Sequence, residues 1–184
     1  MKLLIVVDMQ KDFIDGSLGT SEARTIVPNV LAKIAAYPPE AIFVTRDTHA
    51  ADYLTSCEGR HLPVVHCVDG TPGHALDPKI AAALAAVAPD HILDKPTFGS
   101  MELAERLRAL AGDEATEIEL VGLCTGICVL SNAILLKAAL PEAEISVDAA
   151  CCACVTPQSH DTALAAMKLC QIAVKHEGQE PWRN

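Results

Sequence analysis

Lys2-Leu3-Leu4-Ile5-Val6-Val7-Asp8 opens the chain with five apolar residues stopped by a carboxylate. A continuous apolar run this short reads as a strand buried on both faces. A membrane span would need roughly eighteen apolar residues, and no run approaches that length. The run is also too short for a signal-peptide core, and no small-residue cleavage site follows it.

Five more short apolar runs follow, at Ala41–Thr45, His91–Leu93, Ile118–Val121, Ile145–Val147 and Ile172–Val174. Helical segments separate most of them. Ile26–Tyr37 spaces Val27, Val30, Leu31 and Ile34 along one face, Lys79–Val87 is rich in Ala, and Met101–Ala111 repeats Leu at 103, 107 and 110. Thr125–Leu140 is largely apolar, and Gln158–Leu169 completes the set. Strands alternating with helices predict an α/β fold, a doubly wound and mostly parallel sheet of six strands with helices on both faces. The 184 residues are read as one domain, 1–184, large enough to bury a substantial core.

Composition narrows the function. With 51% hydrophobic residues and a mean hydropathy of +0.27, the chain is not intrinsically disordered. A formal net charge of −10, without Lys/Arg clusters, argues against nucleic acid or an anionic membrane as partner. Eight cysteines without an export signal point to a cytoplasmic protein with free thiols. Only six residues are Phe, Trp or Tyr, so any ligand pocket has few aromatic walls.

Ligands of open parallel sheets bind beyond the carboxyl ends of the strands. The first strand ends at Asp8, the second at Asp47 and His49, the third at Asp94 and Lys95, and the fourth runs into Leu123-Cys124-Thr125-Gly126-Ile127-Cys128. An acid, a lysine and a cysteine therefore reach one rim from three strands. Each alone could simply mark where a buried strand returns to solvent. Cys128 should fall in the first turn of the next helix, where the helix dipole favours a thiolate and free amides could receive an oxyanion. Thr48–Pro78 is a weakly periodic stretch of about thirty residues rich in Pro, Gly, His and Asp. Loops of that length inside a compact fold are usually functional.

Three segments together resemble the isochorismatase-like cysteine hydrolases, in particular the nicotinamidase-like branch, over nearly the whole chain. Val6-Val7-Asp8-Met9-Gln10-Lys11-Asp12-Phe13 resembles the opening strand, Lys95-Pro96-Thr97-Phe98-Gly99-Ser100-Met101 the lysine motif, and Gly122–Val129 the nucleophile loop. The resemblance implies Cys128 as nucleophile, Asp8 as general base and Lys95 as the group that holds the charge balance. It also implies a cis peptide bond before Cys124, an oxyanion hole formed by the amides of Cys124 and Cys128, and Phe13 against the substrate. The implied activity is hydrolysis of a small amide through an acyl-thioester, with release of ammonia. A homo-oligomer is implied as well, with helix 127–140 offering an apolar surface.

Asp47-Thr48-His49 places two potential ligands on one face of an extended segment, and Pro63–Gly73 resembles the loop that supplies His66. Asp47, His49 and His66 would hold a divalent metal, zinc by donor type. His61 and His74 match no motif and are expected to face solvent, His160 to cap or lie on the surface, and the tail 177–184 to be loosely held. Cys151 and Cys154 have C-x-x-C spacing but no second pair to complete a zinc site. Cys57, Cys67 and Cys170 are read as packing or loop thiols, with Cys152 or Cys154 near the pocket.

The branch's Asp-Tyr before the catalytic cysteine is Gly126-Ile127 here, and its ring-stacking Trp before the loop histidine is Pro63. The reaction groups are intact while the specificity pocket is altered. Alternatives are an isochorismatase-type or carbamoyl hydrolase, or a non-catalytic module sensing metal or oxidant through Cys151 and Cys154. No G-x-G-x-x-G follows the first strand, which disfavours a dinucleotide-binding protein.

Overall fold

In the computed structural model, which describes residues 1–112 and 114–183, the opening run forms β1 (Lys2–Val7) at the centre of a parallel sheet. β2 (Ile42–Asp47), β3 (Ile92–Lys95), β4 (Glu117–Leu123), β5 (Glu144–Ala153) and β6 (Ala173–Lys175) complete it in the order β3-β2-β1-β4-β5-β6. The order reverses between β1 and β4, so the crevice at their carboxyl ends is the switch point of a doubly wound sheet.

Side chains alternate across the strands. Leu3, Ile5 and Val7 pack on one face with Leu107, Val129 and Leu136, while Leu4 and Val6 pack on the other with Ile26, Val30 and Ile80. The first layer carries α5 (Met101–Ala111), α6 (Leu130–Ala139) and α7 (Pro157–Leu169). The second carries α2 (Ser21–Ala35) and α4 (Pro78–Ala83), with the short α1 (Lys11–Ile14) and α3 (Cys57–His61) at the rim. The expected fold class is present, six strands and two helical layers. No described helix is long and apolar enough to cross a membrane.

Several boundaries move for identifiable reasons. α2 starts at Ser21, capped by Thr20, whose hydroxyl accepts the Ala23 amide. Its first turns are mostly exposed, which hides their periodicity, and Pro28 interrupts the pattern. The fifth strand is ten residues long, and a register shift opposite Leu120/Gly122 lets it continue past the apolar run. Cys151 and Cys152 therefore lie within β5, not after it, and their side chains enter opposite core layers. Cys154, just past the strand, lines a pocket, so Cys151 and Cys154 form no joint site.

The tail is a correction. Glu180 is buried against His160, and Trp182 meets the His160 ring edge-on at a centroid distance of 5.1 Å. His160 is itself fully buried and shares a 2.8 Å hydrogen bond between Nδ1 and Thr125 Oγ1. Burial outweighs the nearby Glu180 charge and lowers the His160 pKa, keeping the ring neutral. His160 thus braces the start of the Thr125–Val129 segment instead of lying on the surface. Asn184 is outside the described residues.

Candidate active site

β1 ends at Val7, and Asp8 follows in a left-handed conformation with φ of 48°. An L-residue other than Gly is strained there and persists only where neighbours hold it. The Asp8 amide donates to the Thr45 carbonyl at 3.1 Å, and Thr45 Oγ1 donates to Asp8 Oδ1 at 2.6 Å. Across the crevice, Gly122 has φ of 118°, and a Cβ there would meet the Val7 carbonyl oxygen at 2.1 Å. Only glycine lets β4 approach the end of β1 this closely. The Leu123–Cys124 peptide bond is cis, as the sequence resemblance implies.

The next residues, Thr125–Val129, form a π-helical turn that leads into α6. Wide turns of this kind often occur at functional sites. Cys128 is therefore in a π turn, not the first turn of a regular helix. Asn132, one turn on, donates to the Cys128 carbonyl at 2.8 Å and to the Phe98 carbonyl at 3.3 Å, while its Oδ1 accepts the Ser100 amide at 2.9 Å. This fully buried amide ties the lysine loop to the nucleophile segment, and no sequence motif announced it.

Lys95 joins the three expected residues. Its side chain is 1% exposed, with Nζ 2.7 Å from Asp8 Oδ2, 3.5 Å from Cys128 Sγ, 3.4 Å from Asp47 Oδ1 and 3.1 Å from the Thr97 carbonyl. Burial alone would lower its pKa, but Asp8, Cys128 and Asp47 outweigh it and hold the ammonium above the ordinary lysine range. Burial raises Asp8 despite the opposing Lys95 charge. Burial, with the Asp8 charge and hydrogen bond adding to it, pushes the Cys128 thiol well up. The thiol lies next to a carboxylate whose pKa burial also raises, a direction that makes Asp8 a better proton acceptor.

A second cluster adjoins the first. The His49 amide donates to the Cys67 carbonyl and the Asp69 amide to the His49 carbonyl, both at 2.9 Å, which draws the long loop alongside the end of β2. Asp12 accepts the Cys67 amide at 2.8 Å, and a Cβ on Gly73 would strike its carboxylate at 2.0 Å. Gln10 is buried between Asp47 and His74, accepting the Asp47 amide at 2.7 Å and donating to both carbonyls at 2.8 Å. His74 is buried rather than solvent-facing, with Nε2 2.9 Å from Thr48 Oγ1. His61 is exposed, as expected.

These supports bring Asp47, His49 and His66 together, and Glu58 of α3 joins them, with one donor atom from each within 4.8 Å of the others. The Val64 carbonyl, 2.8 Å from His66 Nδ1, fixes that nitrogen as the protonated one and turns Nε2 inward. His49 Nε2 is buried without a hydrogen bond of acceptable geometry, although Asp47 Oδ2 lies 2.9 Å away. An orphaned imidazole nitrogen among two carboxylates and a second imidazole suits a divalent ion. Burial alone would raise the Asp47 pKa, but the adjacent imidazoles of His49 and His66 and the Lys95 ammonium hold it well below the usual carboxylate range, so it is a charged donor. Glu58 escaped the sequence because its position depends on the path of an aperiodic loop.

Glu58→Gln should weaken zinc retention at least 10-fold, since loss of even an outer partner typically costs about 10- to 100-fold. Competition with a chromophoric chelator reads this directly, and unchanged retention would remove Glu58 from the set. His160, Asp161 and Glu180 also lie close together, but Arg183 bridges both carboxylates.

Between the two clusters lies a cavity of about 150 Å³ whose lining includes Phe13, Asp47, Glu58, His66, Cys124 and Cys128. Phe13 stands 5.5 Å from the His66 ring, edge to face. Fold and site define an α/β protein with a thiol, carboxylate and ammonium group beside a metal-capable cluster at the switch-point rim. The chain belongs to the isochorismatase family, whose isochorismatase domain matches residues 2–177. Its expected place among the isochorismatase-like hydrolases is thereby borne out.

Solved structures agree. A Pyrococcus horikoshii pyrazinamidase in complex with zinc is 28% identical, with TM-score 0.73, over 94% of this chain and 97% of that one. A Bacillus subtilis nicotinamidase is 25% identical, with TM-score 0.77, over 95% and 98%. An N-carbamoylsarcosine amidase from Thermoplasma acidophilum, 24% identical with TM-score 0.71 over 95% of each chain, shares the fold. Comparison with curated proteins by sequence gives no significant match.

Proposed function

We propose that this protein is a metal-assisted amidohydrolase that cleaves the C–N bond of a small primary amide through an acyl-thioester on Cys128. The observation that carries this reading is Lys95 Nζ, 2.7 Å from Asp8 and 3.5 Å from Cys128, the last of which lines the cavity. A zinc-bound pyrazinamidase and a nicotinamidase among the similar structures support it.

Asp8 takes the thiol proton as Cys128 Sγ attacks the amide carbon, and the amides of Cys124 and Cys128 receive the carbonyl oxygen. Asp8 then returns that proton to the amine as the C–N bond breaks and ammonia leaves. A water attacks the thioester, giving the carboxylic acid and the free thiol. Lys95 offsets the negative charge that passes between Asp8 and Cys128. Asp47, His49, Glu58 and His66 would hold a divalent ion, which when bound supplies a Lewis acid to orient and polarise the substrate. The complete N/O donor set favours this amidase reading over the isochorismatase-type alternative.

Metal analysis of the purified protein, joined to an ammonia-release screen over primary amides, tests the reading. About one zinc per chain and ammonia from at least one amide are expected. A zinc-loaded protein that releases ammonia from none would refute the proposal.

A further inference from the structure

Beside the rings of Phe13 and Phe98, the cavity wall away from the reacting groups is aliphatic. Ala23 and Leu123 are almost fully buried at its depth, Leu18 and Ile127 are half-buried, and Leu62 and Val155 stand exposed at the mouth. No lysine or arginine lines it. Lys95 itself does not line it, and its three N–H bonds face Asp8, Asp47, Cys128 and the Thr97 carbonyl, leaving none for a ligand. Asp47 and Glu58 put two carboxylates at one end of the same wall, and a divalent ion held there would be neutralised by them.

From this wall we infer, building on the amidohydrolase reading above, that the substrate is a neutral primary amide with an aliphatic body of about six carbons. An engineered apolar cavity of about 150 Å³ admits benzene, which sets the size of the body. Apart from Phe13, Phe98 and His66 the lining holds no ring, and its branched side chains offer methyl groups and no parallel faces, so a flat ring gains little on them beyond burial. A carboxylate on the substrate would lie unpaired among apolar side chains or against Asp47 and Glu58, both costly placements. Ile127 and Val155 are thus specificity-determining residues.

The test uses hexanamide, its equally long anionic counterpart adipic acid monoamide, and nicotinamide, with zinc-loaded protein. kcat/KM should rise about fourfold per methylene from propanamide to hexanamide. It should favour hexanamide over the anionic amide by at least about 100-fold, and over nicotinamide by about 10-fold. Val155→Lys, at a position 61% exposed and therefore tolerant of change, should raise turnover of the anionic amide at least 10-fold.

A second readout avoids turnover. Calorimetric titration of zinc-loaded Cys128→Ala, or Cys128→Ser should the first variant fold poorly, should show hexanamide binding and no anionic amide binding. Binding to these variants without hydrolysis by the native protein would refute the cysteine reading and keep the pocket assignment. Hydrolysis that prefers nicotinamide or the anionic amide would refute the pocket assignment and keep the chemistry. Neither binding nor hydrolysis of any of the three amides would overturn both.

Discussion

Cys128→Ala is expected to lower kcat for ammonia release by on the order of 10⁴-fold or more, the usual cost of removing an activated nucleophile. The fold should survive. Cys128 is 4% exposed and packs beside Val129 in the sheet-facing core, and losing one sulfur atom from such a site costs about 1 kcal/mol. For a chain of this size that is a change of about 2–4 °C in Tm. Rapid-quench mass spectrometry of the native protein should detect the acyl-thioester on Cys128, and the variant should show none. General alkylation rates are a poorer guide. Cys57 and Cys170 are exposed while Cys128 is buried with its pKa raised, so the exposed thiols react first whatever the mechanism. An alanine variant that retained a tenth of native turnover would move the nucleophile elsewhere.

The residues that were legible in the sequence share one physical property, that each closes a strand or follows one by a short turn. A parallel strand covered on both faces is a continuous apolar run, and its end is marked by the first residue that cannot be buried without a partner. Asp8 and Lys95 carry that mark, Cys128 follows the fourth strand by one short turn, and the topology alone brings them together. Glu58, Gln10, His74, Asn132 and His160 were not legible in this way. Each is buried, or half-buried in the case of Glu58, by a segment whose path has no periodicity, whether the loop 48–78, the lysine loop or the C-terminal tail. A polar residue in such a segment looks the same in sequence whether it faces water or is fully hydrogen-bonded. Asp47, His49 and His66 lie between the two cases. Their spacing suggested a ligand pair and their resemblance a third donor, but the fourth depended on how α3 folds under the loop.

Lys95→Met should be among the most destabilising single changes in the chain, and its effect should depend on pH in a defined direction. The methionine fills the volume but leaves Asp8 and Asp47, both buried, without the cation at 2.7 and 3.4 Å. Removing one partner of a buried ion pair costs about 3–5 kcal/mol, or roughly 10 °C in Tm. Burial already raises the Asp8 pKa against the pull of Lys95, and without Lys95 it must rise further. A carboxyl whose pKa is higher in the folded than in the unfolded chain binds its proton preferentially when folded, so its penalty is relieved as pH falls. The gap in stability between native protein and Lys95→Met should therefore narrow toward pH 4 and widen toward pH 8. Asp8→Asn/Lys95→Met removes one charge of each sign and should recover much of the lost stability without recovering activity, because neither a base nor a charge-balancing ammonium remains. Thermal melts of the two variants across that pH range decide the matter. A pH-independent loss, or a double variant no more stable than the single one, would mean that Lys95 matters through its packing and not through the carboxylates it holds.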